Sequence, residues 1–533
     1  MIYKKLLFAL LLAILLPATV EGFTVNYISY SSTGNNATVT SANSGAGSSI
    51  YIPSTVTYNG TTYNVTSIGS SAFSGDTWLK SIYIPTSVLS IGDYAFYGCT
   101  GLTSISIPNS VTNLGSYAFY NCNKITSAYI GSTVIAIKDY TFYGCTALSR
   151  ITIPNTVTSI GNYAFQGCTA MTTVTIGSAV TSIGNYAFQN CTKLSEIDIP
   201  NSVKSLGNGA FQSCTTMTSA TLGNSITTIG NFLFQNCSNL TSINIPSSAN
   251  DIGNYAFFGC SKLMNIDIPN SVTSIGYCAF KGCSNLSSLI IPNSVTNIFR
   301  GAFQNCTKLN STILSNAITV IADSTFAGCK SLTSITIPDA VTIIGTSAFL
   351  DCTSMGSVSI PSSVTTINTS AFNGCTGLAS VSIPNSVTSL GSYAFYGCSR
   401  LTSLTIGESV AGIGNYAFYG CTNLVGGHYL GMEILDDGDI LVDVENITIS
   451  NGEITAVSAT NGEGLVYTTE ITANGLGFSV LKNGNVVATI SNVVIQQILK
   501  LIPPISLEMS REYPISLILV IKGSYKYIGS KQD

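Results

Sequence analysis

Charge is scarce in this chain: Lys, Arg, Asp and Glu make up 8% of its 533 residues and balance to a formal −4. Phosphate binding needs a basic stripe, so nucleic acid is excluded as a partner. Histidine is scarcer still, with His428 alone. A Ser-His-Asp or Cys-His nucleophile would have to be assembled around that one ring, and no Gly-rich phosphate loop precedes a helix. The expectation is therefore no enzyme and no cofactor. Long apolar runs are missing as well. Mean hydropathy is +0.40, yet the repeated body of the chain never runs 18 apolar residues together, which a spanning helix requires. No transmembrane segment is expected.

What is present is a period. Phenylalanine stands at 73, 96, 119, 142, 165, 188, 211, 234, 257, 280, 303, 326, 349, 372, 395 and 418, every step 23 residues, without insertion or deletion. A globular domain would need loops of unequal length, so one supersecondary unit is stacked on itself. Counted from Phe, the unit reads F-x-x-C-x-x-L-x-x-I-x-I-P-x-x-V-x-x-I-G-x-x-A, with mostly Ser, Thr, Asn and Tyr between the fixed apolar positions. The spacing of Leu102, Ile105 and Ile107 predicts one strand per repeat. Pro108 and its counterparts, replaced by Gly at 131, 177, 223 and 407, end it. Val-x-x-Ile-Gly predicts a second short strand, and the Ala-Phe corner a turn of α- or 3₁₀-helix. The fold class is mainly β, a solenoid of about 16 repeats followed by a small C-terminal β domain.

Residues such as Leu148, Ile151, Ile153, Pro154, Val157, Ile160, Gly161, Ala164, Phe165 and Cys168 recur with little variation. Over roughly residues 52 to 425 the pattern resembles the BspA-like leucine-rich repeats, a family of surface and secreted proteins. The resemblance implies a right-handed β-solenoid arc used in adhesion or recognition, and it implies no catalytic residue.

Cysteine tests whether the repeat is structural. Fifteen of the sixteen lie three after Phe: Cys99, Cys122, Cys145, Cys168, Cys191, Cys214, Cys237, Cys260, Cys283, Cys306, Cys329, Cys352, Cys375, Cys398 and Cys421. In an exported protein, disulfides are the first thought. Stacked neighbours would be about 4.8 Å apart, close enough for a bridge, but equivalent side chains lie parallel and fifteen is odd. Buried free thiols, serving as a structural ladder of small corner residues, are expected. Cysteines in a line do not make a tetrahedral zinc site, so no metal is expected. Asp76 takes the position in the first copy, as suits a cap facing water. Cys278 replaces the usual Tyr two before Phe, and a plain substitution is favoured there over a reactive thiol.

The ends carry the address and the caps. Lys4 and Lys5, the apolar run Leu6 to Leu16 and the small residues after Pro17 predict a signal peptide over 1–22, hence export to the extracellular surface or medium. Residues 23–69 form an N-terminal cap with a degenerate repeat and an Asn59-Gly60 hairpin turn that closes the first strand's open edge. The leucine-rich repeats span 70–425. Alternating stretches punctuated by Asn-Gly predict a small antiparallel β domain over 426–499, and 500–533 form a tail without an assigned role. Asp436, Asp437, Asp439 and Asp443 do not match a calcium loop, and a polar hairpin turn is the plainer reading.

The remaining signal is surface, and a solenoid lets it be read in columns. Tyr94, Tyr117 and Tyr140 stand two before Phe, and Tyr97, Tyr120 and Tyr143 one after. Tyr129 and the acids Glu196, Asp198 and Asp267 interrupt a hydroxyl-rich strand column. Aromatic rows with hydroxyl tips suit protein or glycan contact; the plainer reading is that these rings pack along the corner. Two function classes follow. One is a monomeric surface or secreted binding module for a host or neighbouring-cell protein or glycan. The other is a spacer or surface-layer protein without a specific ligand.

Overall fold

The computed structural model describes residues 19–424, apart from 408 and 411, and the backbone of the strands beyond 426 named below; side chains are described from 22 to 424. The chain divides into two compact units, Met1–Pro269 and Asn270–Asp533. The described repeats of each form a β-solenoid, and no α-helix occurs among the described residues.

Most repeats contribute a strand of about three residues and one of two, and most of these pair in parallel with the same residues one repeat away. Arg150–Thr152 pairs with Thr173–Thr175, and Ser159–Ile160 with Ser182–Ile183. The shift between partners is one full repeat, so identical side chains fall in columns. Ile151 points inward and is buried while Arg150 and Thr152 face solvent, the two-residue alternation of a half-buried strand. Leu148 and Ile153 flank the strand and complete the core.

The corner differs from the helical turn expected at Ala-Phe. In the repeat of Phe119, the amides of Tyr117, Phe119 and Asn121 donate to Asp139, Thr141 and Tyr143 of the next repeat at 3.0, 2.8 and 2.7 Å. The amides of Tyr120 and Cys122 instead close local turns onto Tyr117 and Phe119, both at 3.1 Å. Two left-handed residues in each corner prevent a helix. The position two before Phe has positive φ whether it is Tyr117 (57°), Ser347 (54°) or Gly301 (67°), and so does the position two after, as at Asn121 (56°) and Gly144 (68°). A left-handed residue turns its amide out of a helical run, so the chain bonds sideways to its neighbour.

Phenylalanine fills the corner's interior. In the first unit successive rings from Phe73 to Phe257 stack, with centroids such as Phe119–Phe142 at 5.1 Å and Phe165–Phe188 at 5.1 Å. In the second unit Phe280 to Phe418 do the same, with Phe349–Phe372 at 5.1 Å. Full burial of such a ring stabilises by up to about 3 kcal/mol relative to exposure. Gly115 marks a point where repeats press close, since a Cβ there would lie 2.3 Å from the carbonyl carbon of Gly92. Asparagine side chains hold the turns: the Oδ1 of Asn162, Asn185 and Asn208 accept the amides of Asn185, Asn208 and Asn231 at 2.8, 2.8 and 3.1 Å.

The N-terminal residues form an antiparallel cap. Strands β1 (Thr19–Val25), β2 (Ile28–Thr33) and β3 (Asn36–Ala42) make a meander, and β1 begins upstream of the expected cleavage point after Gly22. β4 (Ser49–Tyr51) pairs with Ser81–Tyr83 and covers the first long-strand edge. β5 (Thr55–Tyr58) and β6 (Thr61–Ile68) form a hairpin through Asn59 and Gly60, with φ of 50° and 77°, as a two-residue mirror-image turn demands. β6 then pairs with Ser90–Ile91 on one side and β3 on the other.

Beyond 426 the backbone is antiparallel. Asn446–Ser450, Glu453–Thr460, Leu465–Thr472, Gly475–Lys482 and Asn485–Val493 pair in sequence. Leu517–Ile521, from the segment expected to be a tail, pairs with Ile440–Val444. Asp436, Asp437 and Asp439 lie outside the described residues.

Candidate functional site

The corner tyrosines form two parallel rows. Tyr94, Tyr117, Tyr140, Tyr163 and Tyr186 stack with centroids 4.7, 4.5, 4.7 and 5.2 Å apart, and Tyr97, Tyr120 and Tyr143 at 4.8 and 4.5 Å. Tilted contacts of 5.9 Å between Tyr94 and Tyr97, and 5.7 Å between Tyr140 and Tyr143, tie the rows together. The spacing is the strand spacing carried out to the side chains. Tyr94 and Tyr97 are 40% and 37% exposed and the others half-buried, so these rings pack on each other while presenting their edges to solvent. A left-handed backbone at Tyr94, Tyr117 and Tyr140 costs about 1 to 2 kcal/mol for a residue with a Cβ, and ring stacking offsets part of it. Burial, together with the neighbouring phenols, raises the pKa of Tyr117, Tyr120 and Tyr140. The phenols stay neutral and able to donate.

The structure divides the candidate residues. Tyr94, Tyr97, Tyr117, Tyr120, Tyr140 and Tyr143 share the corner ridge. Tyr129, Glu196, Asp198 and Asp267 belong to the strand segment, where all four are exposed. Tyr129 lies in Ser127–Tyr129 and its hydroxyl donates to Asn109 Oδ1 at 3.1 Å. Around it a groove of about 970 Å³ opens over the outer face of the first long strands, with Ser81, Ser106, Ser127, Arg150 and Thr152 in its lining. One further aromatic, Tyr51, escapes the 23-residue columns. Tyr51 and Tyr83 are in register and stack at 4.8 Å, exposed by 67% and 50%.

The cysteines lie inside. All sixteen are free thiols, and the ladder members are buried. Within each unit the ladder thiols donate to the carbonyl of the Phe one repeat back, as Cys99 does to Phe73 at 3.0 Å, Cys191 to Phe165 at 3.3 Å and Cys375 to Phe349 at 3.2 Å. Burial pushes up the thiols of Cys168, Cys191, Cys214, Cys260, Cys306 and Cys352, and takes those of Cys237, Cys329 and Cys375 to about 12. A proton held that firmly makes a poor nucleophile. Asp76, in the first copy, is half-buried rather than open to water, and its carboxylate accepts the Trp78 indole N–H at 3.2 Å. Cys278 occupies the left-handed corner position with φ of 50°. Among the described residues no group of three His, Cys, Asp or Glu is placed to hold a metal ion.

The same stretch of chain matches the family model of the BspA type leucine rich repeat region, in six copies within residues 66–426. The chain belongs to the BspA-type leucine-rich repeat family. A leucine-rich repeat protein from Bacteroides ovatus is 30% identical over 76% of this chain and 93% of its own, with a TM-score of 0.57. A leucine rich cell surface protein from Faecalibacterium prausnitzii is also 30% identical, over 73% of this chain and 95% of its own, with a TM-score of 0.45. No curated protein matches. In this BspA-type protein the family repeat accounts for the core columns, and the tyrosine rows are laid on top of them.

Sequence reasoning missed the left-handed corner positions and the Tyr51–Tyr83 pair. The position two after Phe carried a readable signal: it is Gly, Asn, Asp or Ser throughout, the residues that tolerate or relieve positive φ.

Proposed function

We propose that this protein is a non-catalytic recognition module, displayed at or released from a cell surface, that engages a protein or glycan through its early repeats. The observation that carries the reading is the corner ridge. Six stacked tyrosines from Tyr94 to Tyr143 present phenol edges in fixed positions, on a backbone that other repeats build with Ser or Gly. Rings already ordered by stacking lose little entropy on contact. Export rests on the Lys4-Lys5 and Leu6 to Leu16 pattern, in residues outside those described. No helix among the described residues is long and apolar enough to cross a membrane.

The test is a screen of the full chain against arrayed extracellular proteins and glycans, repeated with Tyr97, Tyr120 and Tyr143 changed together to Ser. Recognition through the ridge predicts one or a few saturable partners whose binding falls at least tenfold in the variant. A partner retained at full strength by the variant refutes the ridge, and no partner at all favours the spacer reading.

A further inference from the structure

We propose that the open end of the two tyrosine rows binds a neutral saccharide, one pyranose ring taking the next place in the stack, over Ser71 and Ser74. The proposal deepens the recognition role above and rests on it, but it uses the faces of the first rings where the ridge uses edges. The rows start abruptly. Tyr94 is covered on one face by Tyr117 at 4.7 Å and Tyr97 by Tyr120 at 4.8 Å, whereas one repeat back the same two positions are Ser71 and Ser74. The backbone beneath does not change there. Ser71 has a φ of 58°, as Tyr94 does, and its amide donates to the Asp93 carbonyl at 2.9 Å just as the Tyr94 amide donates to the Ser116 carbonyl at 2.9 Å. Inside, Phe73 still stacks on Phe96 at 5.1 Å. The corner therefore builds one more rung of both rows and puts serines on it. That rung is open: Ser71, Ser74, Tyr94 and Tyr97 are exposed, and a Cβ on Gly75, beside Ser74, would meet no atom within 4 Å.

The surroundings select the chemistry of the occupant. The rung is one strand spacing deep, about 4.8 Å, which is the contact distance of a ring on an aromatic face. Its wall is two phenol faces with centroids 5.9 Å apart. Its floor is two serine hydroxyls that make no hydrogen bond among the described residues. The occupant must therefore be apolar on one face and polar around its rim. A pyranose offers C–H groups across its face and hydroxyls around it, whereas a proline or indole ring would cover the tyrosines and leave both serines unused. Asp93, one residue before Tyr94, is exposed; its Oδ1 accepts the Ser116 amide at 2.8 Å, and its second oxygen makes no hydrogen bond among the described residues. A carboxylate so placed can accept a sugar hydroxyl and repels an acid. The saccharide is accordingly an uncharged one.

Titration calorimetry of the full chain tests this with neutral tetrasaccharides of glucose, mannose, galactose and N-acetylglucosamine, with tetragalacturonate and with a decaproline peptide. Saturable binding of at least one neutral saccharide is expected. It should fall at least tenfold when Tyr94→Ser and Tyr97→Ser together remove the wall, and at least tenfold when Ser71→Tyr and Ser74→Tyr together put phenol rings on the open rung. Cooperative melting of each variant confirms that it folds. The proposal is overturned if no neutral saccharide binds, if either variant binds like the parent, or if tetragalacturonate or decaproline binds best. Because Ser71→Tyr with Ser74→Tyr lengthens the ridge and keeps every phenol edge, a partner of the ridge still binds that variant, and failure of the saccharide site leaves the ridge reading standing.

Discussion

The repeats around Phe96 to Phe165 and those around Phe326 to Phe372 share a backbone and differ in surface. In the first group the left-handed corner position is Tyr94, Tyr117, Tyr140 and Tyr163; in the second it is Ser324, Ser347 and Ser370, with φ between 53° and 56° in the second group and 56° and 58° in the first. Inside, nothing changes. Phe142 and Phe349 are both fully buried, and Cys168 and Cys375 donate to the preceding Phe carbonyl at 3.3 and 3.2 Å. The comparison teaches that the tyrosine rows are not required to build the corner. A serine makes the same turn, so the core does not require the rings.

The largest expected effect should not distinguish the two groups. A buried thiol held above its ordinary 9.0 keeps its proton in the folded state where the unfolded chain has lost it. Stability from the ladder is therefore complete below pH 9 and is lost as pH rises toward about 12, the value reached at Cys237, Cys329 and Cys375. Each such thiol removes about 1.4 kcal/mol per pH unit within that window, and the ladder repeats the loss along the chain. Circular dichroism against pH is expected to show cooperative unfolding above pH 9 that involves both groups. Strand signal persisting unchanged to pH 12 contradicts the thiol ladder.

Next in size, Phe142→Ala and Phe349→Ala should each cost about 3 to 5 kcal/mol, the usual loss for a phenyl ring removed from a core. Chemical denaturation is expected to give similar values for the two; a difference of more than about 2 kcal/mol would mean that the two interiors are not equivalent. A smaller effect is expected from building a row where none exists. Ser324→Tyr, Ser347→Tyr and Ser370→Tyr together should change stability by no more than about 1 kcal/mol per ring, because the left-handed backbone is already in place. Marked destabilisation in a melting experiment would show that the early corners have a shape the late ones lack.

Much of this was legible in the sequence because solenoid stacking converts period into contact. Phe, Cys, Leu and Ile at fixed spacing announced columns, and the columns became the core. The hairpin at Asn59-Gly60 was readable because its turn type demands those residues. The helical corner was misread because Tyr117 at positive φ carries no warning in its residue type; only the neighbouring Gly and Asn column hinted at it. The β1 to β3 meander was missed because it lies before the period begins. The Tyr51–Tyr83 pair was missed because the insertion in the cap sets the two strands 32 residues apart, which takes Tyr51 out of the 23-residue column that holds Tyr83. Stacking along the corner was one of two readings of the tyrosines; the rings do pack on one another, and they remain partly exposed.

The central claim is that the early tyrosines are surface laid on a core that does not need them. It is tested most directly by the melting temperature of the full chain with Tyr94, Tyr117 and Tyr140 replaced by serine, the residue that occupies the same corner at 324, 347 and 370. A shift of no more than a few degrees is predicted, since each ring gives up about 1 kcal/mol of stacking while the turn, the Phe column and the thiol ladder remain. A fall of more than about 10 °C would contradict the account, because it would make these rings part of the core.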